Sequence, residues 1–249
     1  MTGAATLAPE RQRAVLRQAV VVGVATGLYG VSFGALSAAA GLAFWQTMAL
    51  SALLFSGGSQ FAFVGVVAAG GAGSAAVATA TLLGIRNGLY GLQMAGPLQA
   101  RGARRLLAAH LTIDESTAVG VVQPEAPARR LGFWATGVAV FVCWNLMTAA
   151  GAVVGDALGD TRRLGLDAMA AAAFLGLLWP RLRSAEPWAV AVVAAAVAVV
   201  CVPLLPPGLP VIAAAAVAVA VGAVRAGRPD GTAGSEGAVR PGPTGRTEP

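Results

Sequence analysis

The chain has no lysine, one histidine and two cysteines in 249 residues, and only 11% of it is charged. A soluble domain usually carries about 25% charged residues. With His110 alone, no histidine pair exists to hold a metal, and Cys143 and Cys201 stand in no CxxC or Cys/His spacing. There is no Walker A loop. A serine nucleophile would have only His110 as its base. These absences argue against a metalloenzyme, a serine hydrolase and an ATPase, so no catalytic residue, no metal site and no cofactor is expected. Both cysteines lie in apolar runs and read as small hydrophobes buried among others.

What is present is apolar and segregated. Hydrophobic residues make up 57% of the chain. Between Val20 and Ala100 the only Asp, Glu, Lys, Arg or His is Arg86, and Gly132–Gly155 and Trp188–Val224 have none. A membrane span needs about 20 apolar residues. The runs Ala19–Phe44, Thr47–Ala69, Ser74–Leu98, Gly132–Gly155, Leu164–Pro180, Pro187–Leu205 and Leu209–Val224 predict an all-α fold: a polytopic transmembrane helical bundle of about 6–8 membrane segments, with at least one broken or re-entrant helix. The apolar stretch after Arg11, Arg13 and Arg17 is too long for a signal peptide core and reads as an uncleaved first span. Residues 1–18 form a basic tail, 19–225 the membrane domain, and 226–249 a Gly-, Pro- and Arg-rich tail expected to be disordered. The net charge of +6 comes from short arginine clusters between apolar runs. That pattern fits cytoplasmic loops rather than nucleic-acid binding.

The chain is organised around Ser74–Leu98. Arg86 has twelve residues on either side of it there, which puts it about 18 Å from each end of a helix. That is too far to snorkel to the headgroups, and an arginine in lipid costs a few kcal/mol. Something inside the protein must receive it. Tyr90 and Gln93 follow at i+4 and i+7, with Asn87 beside the stripe, so this face is expected to point inward. Arg86, Asn87, Tyr90 and Gln93 are candidate substrate-binding residues; a polar cluster that only holds helices together is the plainer reading.

Two other segments carry polar groups into apolar surroundings. Ser56-Gly57-Gly58-Ser59-Gln60 sits at the centre of Thr47–Ala69. It reads either as a close helix-packing patch or as a helix break, where opened backbone and the side chains of Ser56, Ser59 and Gln60 would bind a solute. Asp114 and Glu115 follow Thr112-Ile113. They read either as carboxylates at a helix N-terminus or as functional groups, an ion-pair partner of Arg86 or a proton-titratable coupling site. Gly23-xxx-Gly27 and Gly30-xxx-Gly34 would let helices pack closely or would mark a break. Asn145 is expected to bond across helices, and His110 to lie in a loop or at the interface.

The topology does not close. The arginine clusters are 11–17, 101–105, 129–130, 181–183 and 225–228. If all are cytoplasmic, an even number of crossings separates each pair. Three apolar runs lie between residues 17 and 101, so one of them is re-entrant or the rule is broken there. Thr47–Ala69 is the candidate.

The ordered motifs Gly-Val-Ser-Phe-Gly (30–34), Ser-Gly-Gly-Ser-Gln-Phe (56–61), Leu-Leu-Gly-Ile-Arg-Asn-Gly-Leu-Tyr-Gly (82–91) and Leu-Thr-Ile-Asp-Glu-Ser (111–116) resemble the AzlC family of branched-chain amino acid permeases, over about residues 19–225. The resemblance implies the large subunit of a two-component exporter. It implies a small AzlD-type membrane subunit as partner, an amino acid as substrate, and the cytoplasmic (inner) membrane as a multi-pass location. Where that family often has Asn two residues before the arginine and His after it, this chain has Gly84 and Asn87. That leaves Asp114 and Glu115 for any proton role. A non-transporting membrane scaffold or sensor is the alternative.

Overall fold

The computed structural model describes residues 7–157, 175–176, 178–179, 182–206 and 209–226. Among these there are nine helices and no strand. Three are long: α1 (Pro9–Ala39), α4 (Gly73–Leu98) and α7 (Ala126–Ala157). At 1.5 Å per residue they run about 39 to 48 Å, enough to cross a bilayer. Of the three, α1 and α7 also have the sustained hydropathy of a membrane span; α4 is diluted by Arg86 and its neighbours. The basic residues 11–17 are the first turns of α1, whose Val15 is already buried.

α1 and α7 lie side by side and parallel. Gly23 faces Ala139, Gly27 faces Cys143, Gly30 faces Trp144 and Met147, and Gly34 faces Thr148 and Gly151. The contact is so close that a Cβ added at Gly23 would lie 2.6 Å from that of Ala139. The small-residue spacing is therefore a packing seam, and α1 is continuous through it. Gly30-Val31-Ser32-Phe33-Gly34 has the form G-x-S-x-G, but it lies inside this helix rather than on a strand-to-helix turn.

Between the long helices sit two short hairpins. The first is α2 (Phe44–Leu53) and α3 (Gly57–Ala68), broken at Leu54-Phe55-Ser56. It enters at the end of the bundle where α1 stops. Ser51 on α2 reaches Thr148 of α7 at 3.4 Å, and Phe55 meets Phe141 at 5.0 Å between centroids. α3 then returns: its Phe63 and Val67 face Leu42, Trp45 and Leu50 across a shallow groove at that same end. The glycine turn at Gly70, with φ +75°, leads into α4. The break expected at the serine–glycine motif is present, and Thr47–Ala69 is two half-length helices.

The second hairpin enters from the opposite end. α5 (Ala103–His110) runs inward, the chain breaks at Leu111-Thr112-Ile113, and α6 (Asp114–Val121) runs back. Its return is fixed by Gln123, which accepts a 2.8 Å bond from Arg11 and donates a 3.1 Å bond to Gln18 at the start of α1. Gly120 packs on Met94 and Phe133. Arg130 at the start of α7 bonds the carbonyl of Pro97 at 2.9 Å. So the start of α1, the end of α4, both ends of this hairpin and the start of α7 share one end of the bundle.

Three side-chain expectations are corrected. His110 is half-buried between Phe55 and Phe141, with centroids 5.8 and 5.7 Å away, where the hairpin tips meet. Asn145 donates to Phe141 O within its own helix, at 2.8 Å, rather than across helices. The two cysteines are unpaired and half-buried rather than fully buried. α8 (Ala185–Cys201) and α9 (Leu209–Ala226) pack on each other, and α9 touches α4. Most of the expected span Leu164–Pro180, with Asp167, and the tail beyond Ala226 lie outside the described residues.

Candidate functional site

The hairpin tips meet the three long helices at their midpoints, around a cavity of about 610 Å³. α1 contributes Thr26 and Tyr29, α4 contributes Leu83 and Arg86, and α7 contributes Val140 and Trp144. The first hairpin adds Phe55, Ser56, Gly57, Gly58 and Phe61; the second adds Ile113, Asp114 and Glu115. The size is in the range of small-molecule sites, about 300–1,000 Å³. Its walls are mostly apolar, and Arg86, Asp114, Glu115 and Ser56 are among its polar groups.

That cluster receives the mid-helix arginine. Arg86 Nη1 lies 3.0 Å from Asp114 Oδ2, and the two side chains are 30% and 28% exposed. The guanidinium also lies against the first hairpin. A Cβ at Gly58 would stand 3.0 Å from Arg86 Nη2, so glycine is what lets the arginine reach the backbone there. Gly57 makes the matching approach to the Trp144 ring, 3.3 Å from where its Cβ would be. The guanidinium still has donors to spare: Arg86 Nε is buried and has no hydrogen-bond partner among the described residues.

Two helix N-termini point at this cluster. α3 starts at Gly57, and the side chain of its Ser56 cap makes no bond to a backbone N–H of the helix. Ser56 Oγ instead donates to Ser59 Oγ in its first turn, at 3.3 Å. α6 starts at Asp114, with both carboxylates in its first turn. Each N-terminus carries unpaired N–H groups and a partial positive charge. Asp114 and Glu115 sit at a helix N-terminus, and Asp114 pairs with Arg86, so the capping position and the ion pair do not exclude each other. Glu115 lines the cavity next to Thr26.

Side chains outside the cavity lock each tip. Gln60 Nε2 donates to Ser51 O at 3.0 Å, tying α3 back to α2. Ser116 Oγ donates to Leu111 O at 2.7 Å and accepts from Ile113 N at 3.1 Å.

Of the residues singled out in the sequence, Ser56, Arg86, Asp114 and Glu115 line the cavity. Ser59 and Gln60 are buried just behind the tip. Asn87 and Tyr90 are half-buried on α4 outside the lining, and Gln93 is exposed, so the inward stripe extends only as far as the turn of Arg86. On the same helix Leu83 is part of the apolar wall, whereas Leu89 is exposed. The contributions of Thr26, Tyr29 and Trp144 were not singled out. The glycines of α1 and the Trp within an apolar run were the only signals for them.

Comparison with known proteins agrees with the ordered motifs. The family described as AzlC protein matches residues 21–158, which takes in everything from the middle of α1 to the end of α7. No curated protein and no solved structure matches the chain.

Proposed function

The chain belongs to the AzlC family, and we propose that it is a secondary transporter that exports branched-chain amino acids across the cytoplasmic membrane together with a small AzlD-type subunit. The family and the apolar helices make it a membrane protein with a transport-related function. The observation that carries the finer reading is the Arg86–Asp114 pair at the edge of a mid-bundle cavity. A cavity-lining arginine already facing a carboxylate is suited to exchange it for the carboxylate of an amino acid, by charge-assisted hydrogen bonds.

In this reading the substrate carboxylate takes the place of Asp114 on Arg86, close to Ser56 and the N-terminus of α3. Glu115 and the displaced Asp114 face the ammonium group or carry a coupling proton. Phe55, Phe61, Leu83 and Val140 take the branched side chain. Ser59 and Gln60 hold the tip in place. Asn87, Tyr90 and Gln93 line the approach along α4 once the tips separate.

In this reading the topological difficulty does not arise. With the arginine end cytoplasmic, α1 crosses outward and α4 returns, while α2–α3 dips in from the outside and goes back. Two crossings then separate the clusters at 11–17 and 101–105. The second hairpin dips in from the cytoplasm, so none separates 101–105 from 129–130. Hairpin plus long helix occurs twice in opposite orientation, as α2–α4 and α5–α7. Inverted units around a central site are a common basis of alternating access. Each hairpin would then gate one side.

The test is efflux of labelled leucine, isoleucine, valine and methionine from preloaded cells. They would express the chain with and without the small subunit, and Arg86→Ala as control. Efflux that needs both proteins and Arg86 supports the proposal. No efflux of any of the four, with both proteins present in the membrane, removes the substrate assignment and favours a scaffold or sensor.

A further inference from the structure

The end of the bundle where α1 begins carries Arg11, Arg13, Arg17, Arg101, Arg104, Arg105, Arg129 and Arg130. Between α1 and α7 the acids placed with them are Glu10 and Glu125, and Glu125 is taken by Arg11 at 3.6 Å. Within this surface one group of side chains is built rather than scattered. Arg130 donates to Pro97 O and, at 3.2 Å, to Gln99 Oε1, which ties the start of α7 to the end of α4. Gln99 has φ +48° and Gly102 φ +55°, so the chain turns sharply between α4 and α5. That turn lays the Arg104 guanidinium over the Trp134 ring, 5.8 Å from its centroid. Trp134 is one turn of α7 beyond Arg130, and its ring packs edge-on against Phe133 at 5.5 Å. Arg101 lies within the turn and is exposed.

We propose that Arg104 and Arg130, beside Trp134, together with Arg101 from the adjoining turn, bind the phosphate headgroup of an anionic phospholipid. None of the three forms an ion pair among the described residues, so no described acid neutralises their charge. A tryptophan whose ring is packed at the end of a membrane bundle sits at headgroup depth, and guanidinium groups bind phosphate through paired N–H donors. The next turn of α5 exposes Leu106 and Leu107, which are 76% and 51% accessible. They offer acyl chains an apolar surface directly beside the arginines. That apolar neighbour favours a lipid over a free phosphate. The site is separate from the cavity at Arg86 and rests only on the chain being embedded in a membrane.

The experiment uses the full chain, with the small subunit if purification requires it, in nanodiscs of phosphatidylcholine containing phosphatidylglycerol. Native mass spectrometry counts the lipids that stay bound. The wild type is expected to retain phosphatidylglycerol over phosphatidylcholine, and Arg104→Gln/Arg130→Gln to lose that preference, by about fivefold per arginine removed. Arg13→Gln/Arg17→Gln removes the same charge from the same end and is expected to keep it. Arg101→Gln, whose side chain holds no other element in place, is expected to lose part of it and covers the case in which the double variant does not fold. Equal loss in both double variants would overturn the proposal in favour of a general surface field. Displacement of the lipid by inorganic phosphate at millimolar concentration would overturn it in favour of a free-anion site, and no preference in the wild type would overturn it outright.

Discussion

The two hairpins fold alike and differ in chemistry. The first is longer, with helices of 10 and 12 residues, and its tip Phe55-Ser56-Gly57-Gly58 carries no charge. The second has helices of 8 and 8 residues, and its tip Ile113-Asp114-Glu115 carries two acids. Arg86 lies against both: it approaches the backbone of the first at Gly58 and the carboxylate of the second at Asp114. One tip gives the arginine room and the other gives it a counter-charge. An arginine in the middle of an apolar helix needs both, since a guanidinium that cannot reach the lipid headgroups must be neutralised and hydrogen-bonded inside the protein.

Substitutions that affect one tip and not the other can break this comparison. The largest effect is expected from Arg86→Ala, which removes the group both tips serve. Efflux should fall by about 100-fold or more, the scale of losing a charge-assisted contact to the substrate, with the protein still present in the membrane. Arg86→Lys keeps the charge without the fork and should fall between. Retained efflux in Arg86→Ala would mean that the pair is only structural. Next is Asp114→Asn. If Asp114 competes with the substrate carboxylate, the KM for efflux should fall while the maximal rate drops by about tenfold, because the second hairpin no longer closes on Arg86. An unchanged KM would show that the two carboxylates do not compete.

The first tip is probed by a pair of matched changes. Gly58→Ala places a methyl 3.0 Å from Arg86 Nη2, and efflux should fall by about tenfold (~1.4 kcal/mol) at normal abundance. Gly57→Ala meets only the Trp144 ring edge at 3.3 Å and should cost about twofold. Equal losses would mean that the tip is sensitive to any side chain rather than to the position of the guanidinium. Smallest are the locks behind the tips. Gln60→Ala loses the bond to Ser51 O and should lower stability by about 1 kcal/mol, a Tm shift of about 2–4 °C. Ser116→Ala loses both a donor and an acceptor contact across its shorter turn and should cost about 1–2 kcal/mol. Thermal unfolding of the purified protein measures both. A larger loss for Gln60→Ala would reverse the ranking of the two hairpins.

The sequence was unequal in what it revealed of these elements. The first break was legible at Ser56-Gly57-Gly58-Ser59, because adjacent glycines weaken a helix and the serines compete for its backbone. The second break has no glycine or proline; Leu111-Thr112-Ile113 is a plausible stretch of helix. Only the acids after it and the shortness of Ser116–Val122 hinted that a helix begins there. Arg86 as the centre was legible from its isolation, and Asp114 as a possible partner from its being one of few acids near an apolar run. The stripe of Asn87, Tyr90 and Gln93 was overextended, because helical periodicity says which residues share a face but not how far along that face the neighbours reach. His110 and Asn145 were misplaced for the same reason: a single polar residue gives no sign of which side chains surround it.

By itself the sequence determined a helical membrane chain with one intramembrane arginine, a small-residue seam on the first helix and a family-specific order of motifs. These depend on local quantities: run length, charge segregation and residue size at helical spacing. Only the tertiary structure decided that two of the short runs turn back, that they do so from opposite ends, and that their tips meet at the midpoints of the long helices. The cause is packing. α1 and α7 run parallel because their glycines let the backbones touch. That contact puts Trp144 and Phe141 at the level where Phe55, Gly57 and His110 can reach them, and so brings Asp114 to Arg86.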